Sequence, residues 1–324
     1  MMTRQTTIPA PMLAQKLPAA DRWIDFALVG IVITWGVNLV IVKFGLRQFD
    51  PLIFCAMRQL LGVLVVVAVL VARRSWVRLT RRDVVLLMPV AAAFVMGQIS
   101  FYVGIAATTV TNTALLLATI PCCVALTNRL LRLEHLNPQN WAGIVLALVG
   151  SGILFGGDLD LSVSSGHLKG NLWILLSNVG WVAYTVMARP LMRRIPPLVQ
   201  AAVCMLVGLP VVALIAGPEL IANEWSAVTW TGWAAVLFAG IVSFGLGQII
   251  WIRGIQKLGG TRTSAYTNLM PVVGLIAAAL FLHERMTVPQ MIGGACILLG
   301  VVLIRRGHAV VDNVYGRTAS TLEK

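Results

Sequence analysis

Polar and aromatic side chains stand in pairs inside otherwise apolar stretches of this 324-residue chain. They are Trp35 with Asn38, Gln98 with Tyr102, Trp181 with Tyr184, and Gln248 with Trp251, joined by Thr267. Spacings of three or four residues put each pair on one face of a helix. An amide or hydroxyl surrounded by hydrocarbon costs several kcal/mol unless it finds a partner, so these groups must meet a cavity or another helix. The two glutamines can line a pathway or bond helices together. The chemistry they offer is non-covalent recognition. Catalysis would need more than the chain provides. The five cysteines lie singly or adjacent in apolar runs with no C-x-x-C, no H-E-x-x-H occurs, and the one Gly-Ser-Gly, at 150–152, has no histidine at a matching depth. No metal or cofactor is expected.

The elements that must hold these residues follow from composition. Hydrophobic residues make up 58% of the chain and charged residues 11%, where a soluble domain carries roughly 25% charged. Such a chain cannot cover a globule in water, and it reads as an integral membrane protein. Punctuated at charges, Pro and Gly, it yields ten apolar spans, at roughly 24–43, 51–72, 84–106, 109–131, 141–156, 168–189, 197–217, 231–252, 262–282 and 289–305. Residues 1–22 read as a polar, disordered tail, and residues 307–324 as a second tail. The first apolar run lacks a small-residue cleavage site and is expected to be a retained helix.

The chain also repeats itself. "GQISFYVGIAA" at 97–107 returns as "GQIIWIRGIQK" at 247–257, and an offset of 150 aligns 97–154 with 247–304 without a gap, placing Pro121 on Pro271 and Glu134 on Glu284. Upstream, an offset of 146 aligns Trp35 with Trp181 and Pro51 with Pro197. Each half, 23–156 and 167–306, therefore holds five spans, and an odd number inverts the second half in the membrane. The fold class expected is all-α, ten transmembrane helices in two inverted five-helix repeats. Charge tests the assignment. With an internal N-terminus, 20 of the 25 Lys and Arg fall inside, four outside, and Arg58 within the second span. Arg253 and Lys257 approach an inside turn, whereas their counterparts Val103 and Ala107 approach an outside one. Sidedness accounts for the net charge of +13, so nucleic acid is not expected as a partner.

Four kinds of residue remain, the first two with two readings each. Pro121 and Pro271 lack the N–H that would bond the carbonyls of Leu117 and Thr267; a paired helix break marks a central site, or else a packing kink. Arg58, a charge within a span, is a pathway or gating candidate or a side chain that snorkels outward. Glu134 and Glu284 end the fourth and ninth spans on opposite sides, and each reads as the cap of a tight turn to the next helix. The small-residue stripes through Gly97 and Gly104, and Gly247 and Gly254, read as packing surfaces. No acidic residue lies at mid-membrane depth, which points to facilitated transport over proton coupling.

These residues resemble a known family. "WGVNLVIVK" in the first span, "DPLIFCAMRQLLG" in the second with Arg58, and "LFLHERMTVPQMIGGACILLGVVLI" at the end are similar to bacterial permeases of the drug/metabolite transporter superfamily built from two EamA-type domains. The resemblance covers about residues 24–306. It implies a ten-helix permease of the cell inner membrane with both termini cytoplasmic, exporting amino acids and related small metabolites by alternating access. The implied cavity is formed mainly by spans 1, 3, 4, 6, 8 and 9, and "PCCVAL" after Pro121 departs from the pattern there. The implied partners are a small-molecule substrate and the lipid bilayer, in a monomer or homodimer. Drug export or metabolite import in the same fold, and a membrane-embedded enzyme, are the alternatives.

Overall fold

The computed structural model describes residues 22–74, 77–132, 134–158, 167–192, 194–258, 263, 266–267, 269–306 and 310–311. The chain begins with α1 (Arg22–Gly45), α2 (Pro51–Ala72) and α3 (Arg81–Ala107). Asp50 caps α2, accepting from the Leu52 N–H at 2.8 Å, with Pro51 in the first turn where its missing N–H does no harm. Thr80 and Asp83 form a reciprocal capping box at the start of α3.

The predicted fourth span is two helices, α4 (Val110–Leu117) and α5 (Ile120–Leu130), broken just before Pro121. Next come α6 (Pro138–Asp158), α7 (His167–Leu191) and α8 (Pro197–Ile215), then a short surface helix α9 (Gly217–Ala222). The predicted eighth span is composite: α10 (Trp230–Leu237), a π-helical stretch Phe238–Leu246, and α11 (Gly247–Leu258). The described part ends with α12 (Leu269–Leu282) and α13 (Val288–Arg306). Of the predicted ninth span, the opening residues fall largely outside the described set. Seven of the helical stretches are long and apolar enough to cross a membrane, and Leu269–Leu282 and Val288–Ile304 are shorter apolar helices. One departure from all-α is a two-residue antiparallel pair, Glu134–His135 with Val310–Val311. Both predicted tails otherwise lie outside the described residues.

Large apolar side chains such as Phe26, Leu214 and Leu280 are exposed on the outer helix faces, as a hydrocarbon solvent requires. The core runs between helices, through Leu39, Phe54, Leu87, Tyr102, Ile105 and Leu116. With no water to expel between spans, close backbone approach supplies the attraction. Thus α6 and α13 lie along each other at Gly143 and Gly150. A Cβ at Gly143 would stand 2.6 Å from the Gly300 carbonyl, and one at Gly150 2.5 Å from that of Gly293. Likewise α3 and α7 meet at Gly97 and Gly180, where a Cβ on Gly180 would stand 2.6 Å from the Gly97 nitrogen.

Candidate functional site

Arg58 sits two turns into α2 and is 7% exposed. One nitrogen, Nη1, donates to Gln98 Oε1 at 3.1 Å and to the Tyr102 hydroxyl at 2.6 Å. Gln98 and Tyr102 are one turn apart on α3, so the spacing seen in the sequence presents both acceptors to one cation. The guanidinium carbon lies 3.8 Å from the centroid of the Phe244 ring and 5.1 Å from that of Tyr102. Aromatic faces attract a cation most strongly where water is absent. The structure therefore holds Arg58 inward and does not let it snorkel.

An aromatic row continues from this point. Phe244 stacks on Phe94 with centroids 6.1 Å apart, Phe94 meets Tyr184 at 5.5 Å, and Tyr184 meets Trp181 at 5.5 Å. Trp35 faces Trp251 at 5.3 Å, and its indole N–H donates to the Ser243 carbonyl at 2.8 Å. Ser243 lies in the π-helical stretch, where widened turns disturb the regular backbone pairing and a side-chain donor can reach a main-chain oxygen.

Two other predicted binding residues, Asn38 and Gln248, are less engaged. Asn38 is buried, and its Oδ1 has no hydrogen-bond partner among the described residues. Gln248 is half-buried and makes no hydrogen bond among the described residues. Gln98 and Gln248, alike in sequence, thus differ in use. Thr267 is half-buried just before α12, and its carbonyl accepts from the Met270 N–H at 3.1 Å. The expectation that Pro271 leaves this carbonyl free is corrected: the chain tightens there, and a donor one residue earlier takes the bond. Pro271 is buried in the first turn of α12, as Pro121 is the second residue of α5.

At the break between α4 and α5, a residue that sequence reasoning missed does the holding. Asn178 of α7 donates to the Leu116 carbonyl at 2.9 Å and to Thr119 Oγ1 at 3.2 Å, while the Thr119 hydroxyl donates to the same carbonyl at 2.7 Å. Its amide inside an apolar stretch was the available signal.

Glu284 caps a helix, though not the one that follows it. Its carboxylate accepts from the N–H groups of Val110 and Thr111, at 3.0 and 2.9 Å, and from the Thr111 hydroxyl at 2.7 Å. These are orphan donors at the start of α4, a position that favours negative charge. Beside it, Lys43 Nζ donates to the carbonyls of Ile105, Ala106 and Thr108 at the end of α3, at 2.7, 3.1 and 2.6 Å. The two charges bracket the tight α3–α4 turn and border a cavity of about 300 Å³ that Arg47 and Leu282 also line. The Glu134 side chain lies outside the described residues.

At the opposite end of α3, Asp83 pairs with Arg194 at 2.8 Å, and the Tyr266 hydroxyl bonds Asp25 near the start of α1. Among the described residues no group of three His, Cys, Asp or Glu could hold a metal ion. The arrangement can bind, orient and move with helices.

Comparison with known proteins agrees in kind. The uncharacterized transporter YyaM of Bacillus subtilis (strain 168) is 26% identical over 282 residues, covering 85% of this chain and 91% of its own. A probable amino-acid metabolite efflux pump of Salmonella typhimurium (strain LT2) is 25% identical over 296 residues, covering 86% of this chain and 93% of its own. A solved crystal structure superposes with a TM-score of 0.62 over 87% of this chain and 98% of that one, at 19% identity, which shows a shared fold. The EamA-like transporter family matches twice in tandem, at residues 22–156 and 168–306, and with that double match the chain belongs to the EamA-like transporter family.

Proposed function

We propose that this transporter exports small metabolites, amino acids among them, by alternating access between two inverted five-helix repeats. It sits in the cell inner membrane with both termini cytoplasmic. The observation that carries this reading is a correspondence of contacts. Gly97 of α3 packs against Ser177 and Trp181 of α7, while Gly247 of α11 packs against Ile31 and Trp35 of α1. Gly104 packs against Ile174, and Gly254 against Leu28. Adding 150 to one partner and subtracting 146 from the other turns each contact of the first pair of helices into one of the second. Two interfaces built on corresponding contacts give the halves matching surfaces to rock against, as inverted-repeat transporters use.

In this reading Trp35, Asn38, Gln98, Tyr102, Trp181, Tyr184, Gln248, Trp251 and Thr267 face the substrate route. Arg58 and the breaks at Pro121 and Pro271 shape it. The name of the Salmonella relative, a probable amino-acid metabolite efflux pump, supports both direction and cargo. Transport is facilitated, since no carboxylate lies mid-span to carry a proton.

The test is growth of cells expressing the protein on toxic amino-acid analogues and on drugs. Resistance to the analogues, with faster efflux of preloaded labelled amino acids, is the expected result. Sensitisation would mark an importer, and resistance confined to drugs would mark a drug exporter.

A further inference from the structure

The repeat is near-symmetric in its packing but not in its charge. The residue equivalent to Arg58 in the second half is Cys204, which is fully buried, and the residue equivalent to Tyr102 is Ile252. One half carries a buried cation with two oxygen acceptors, whereas the other keeps only the amide, Gln248, and has neither the cation nor the hydroxyl. Arg58 also makes no ion pair among the described residues. Its neighbours are the neutral Gln98, the neutral Tyr102 and the face of Phe244. A cation removed from water without a counter-ion is costly, and an aromatic face with two dipoles offsets only part of that cost.

The pattern of bonds shows where the missing anion fits. A guanidinium carries five N–H donors in a planar fork. Here Nη1 alone is engaged, and both of its acceptors lie on α3. Among the described residues Nε and Nη2 have no partner, and neither is fully sealed from its surroundings. That edge of the fork remains reachable, and two parallel N–H donors match the two oxygens of a carboxylate. Tyr102 and Gln98 hold the opposite edge, so the fork is oriented before any ligand arrives.

Resting on the transport reading above, we propose that Arg58 is the anchor for a substrate carboxylate, bound side-on by Nε and Nη2, and that the cargo is therefore carboxylate-bearing. The cation–π stack on Phe244 ties the same anchor to the π-helical stretch of the second half. Release of the anion leaves Arg58 to its neutral partners alone.

The test needs no foreknowledge of the cargo. Purified wild-type protein in chloride-free sulfate buffer is heated with neutral L-amino acids, with their α-amides, and with C3–C6 monocarboxylates. Melting should rise with the acids and monocarboxylates and stay unchanged with the amides. Arg58→Gln should abolish the shift, and Arg58→Lys, which keeps the charge but not the fork, should weaken apparent affinity about tenfold or more, the scale of one charge-assisted hydrogen bond. Equal shifts by acids and amides, or no shift by any carboxylate, overturn the proposal on wild-type protein, whatever becomes of the variants. A shift by chloride alone that no carboxylate reproduces also overturns it, making Arg58 an inorganic-anion site. Carboxylate binding that depends on Arg58, without efflux of any bound compound, would uphold the anchor and defeat the exporter. Efflux undiminished in Arg58→Gln would do the reverse.

Discussion

Phe94 and Phe244 are separated by the same 150 residues that relate the two copies of the repeat, and they stack on each other 13° from parallel. Two equivalent residues touch only where the halves themselves meet. The stack is nevertheless used unequally. Phe244 lies under the Arg58 guanidinium at 3.8 Å, whereas Phe94 meets Tyr184 at 5.5 Å.

That difference makes a prediction. Replacing either ring by Leu removes similar apolar area, but only Phe244→Leu removes the face beneath a buried cation. A desolvated cation–π contact is worth about 2 kcal/mol. Phe244→Leu should therefore lower the melting temperature in detergent clearly more than Phe94→Leu. Equal losses would mean that the guanidinium gains nothing from the ring.

Much of this arrangement could be read from the residues alone. The pairing of Gly97 with Gly247 and of Trp35 with Trp181 gave the repeat, and in the structure those residues occupy matching contacts. The unequal parts were harder to see. Asn178 faces no similar residue in the first half, where Val32 stands at the equivalent position, so the repeat could not flag it. Phe94 and Phe244 look like ordinary core residues of apolar helices, because an aromatic ring gives no hint of a cation above it. The π-helical stretch had no visible signal, since its backbone depends on what packs around Gly240 and Gly245. The bonds of Lys43 were not legible either, because its three carbonyl acceptors lie more than 60 residues away in sequence.

Glu284 supplies three acceptor contacts to the start of α4, and a lost helix cap costs about 0.5–2 kcal/mol. Glu284→Ala should destabilise the protein by that order. Hydrogen exchange localises the effect: the Val110 and Thr111 amides should lose protection, while those of α6 and α13 keep theirs. Uniform loss over the whole molecule would assign Glu284 a different role.

The arginine-rich turn between α2 and α3 and the α9 region should lie on opposite sides of the membrane. The exposed residues Arg78 and Glu224 are suitable reporters. The native cysteines among the described residues are buried or half-buried, which keeps the background low. In intact cells an impermeant thiol reagent should label Glu224→Cys and spare Arg78→Cys until the membrane is opened. Labelling of both from outside would refute the ten-span, inside-terminus arrangement.

Gln98 and Gln248 provide the sharpest separation of structure from function, because they are the same residue at equivalent places with different duties. Gln98 accepts from Arg58, so Gln98→Leu leaves a buried charge one oxygen short. A hydrogen bond to a charged group is worth about 1.5–3 kcal/mol, and the variant should melt earlier and express less. Gln248 has no partner among the described residues to lose, and Leu at that site preserves length and apolarity. Gln248→Leu should therefore fold and express like the wild type. If its amide faces the substrate route, efflux should still fall severalfold, with the loss appearing in apparent affinity for substrate more than in the amount of folded protein. A Gln248→Leu protein with wild-type efflux kinetics for every transported compound would remove Gln248 from the route. A Gln98→Leu protein as stable as the wild type would mean that the Tyr102 hydroxyl, at 2.6 Å from the same nitrogen, suffices to hold Arg58.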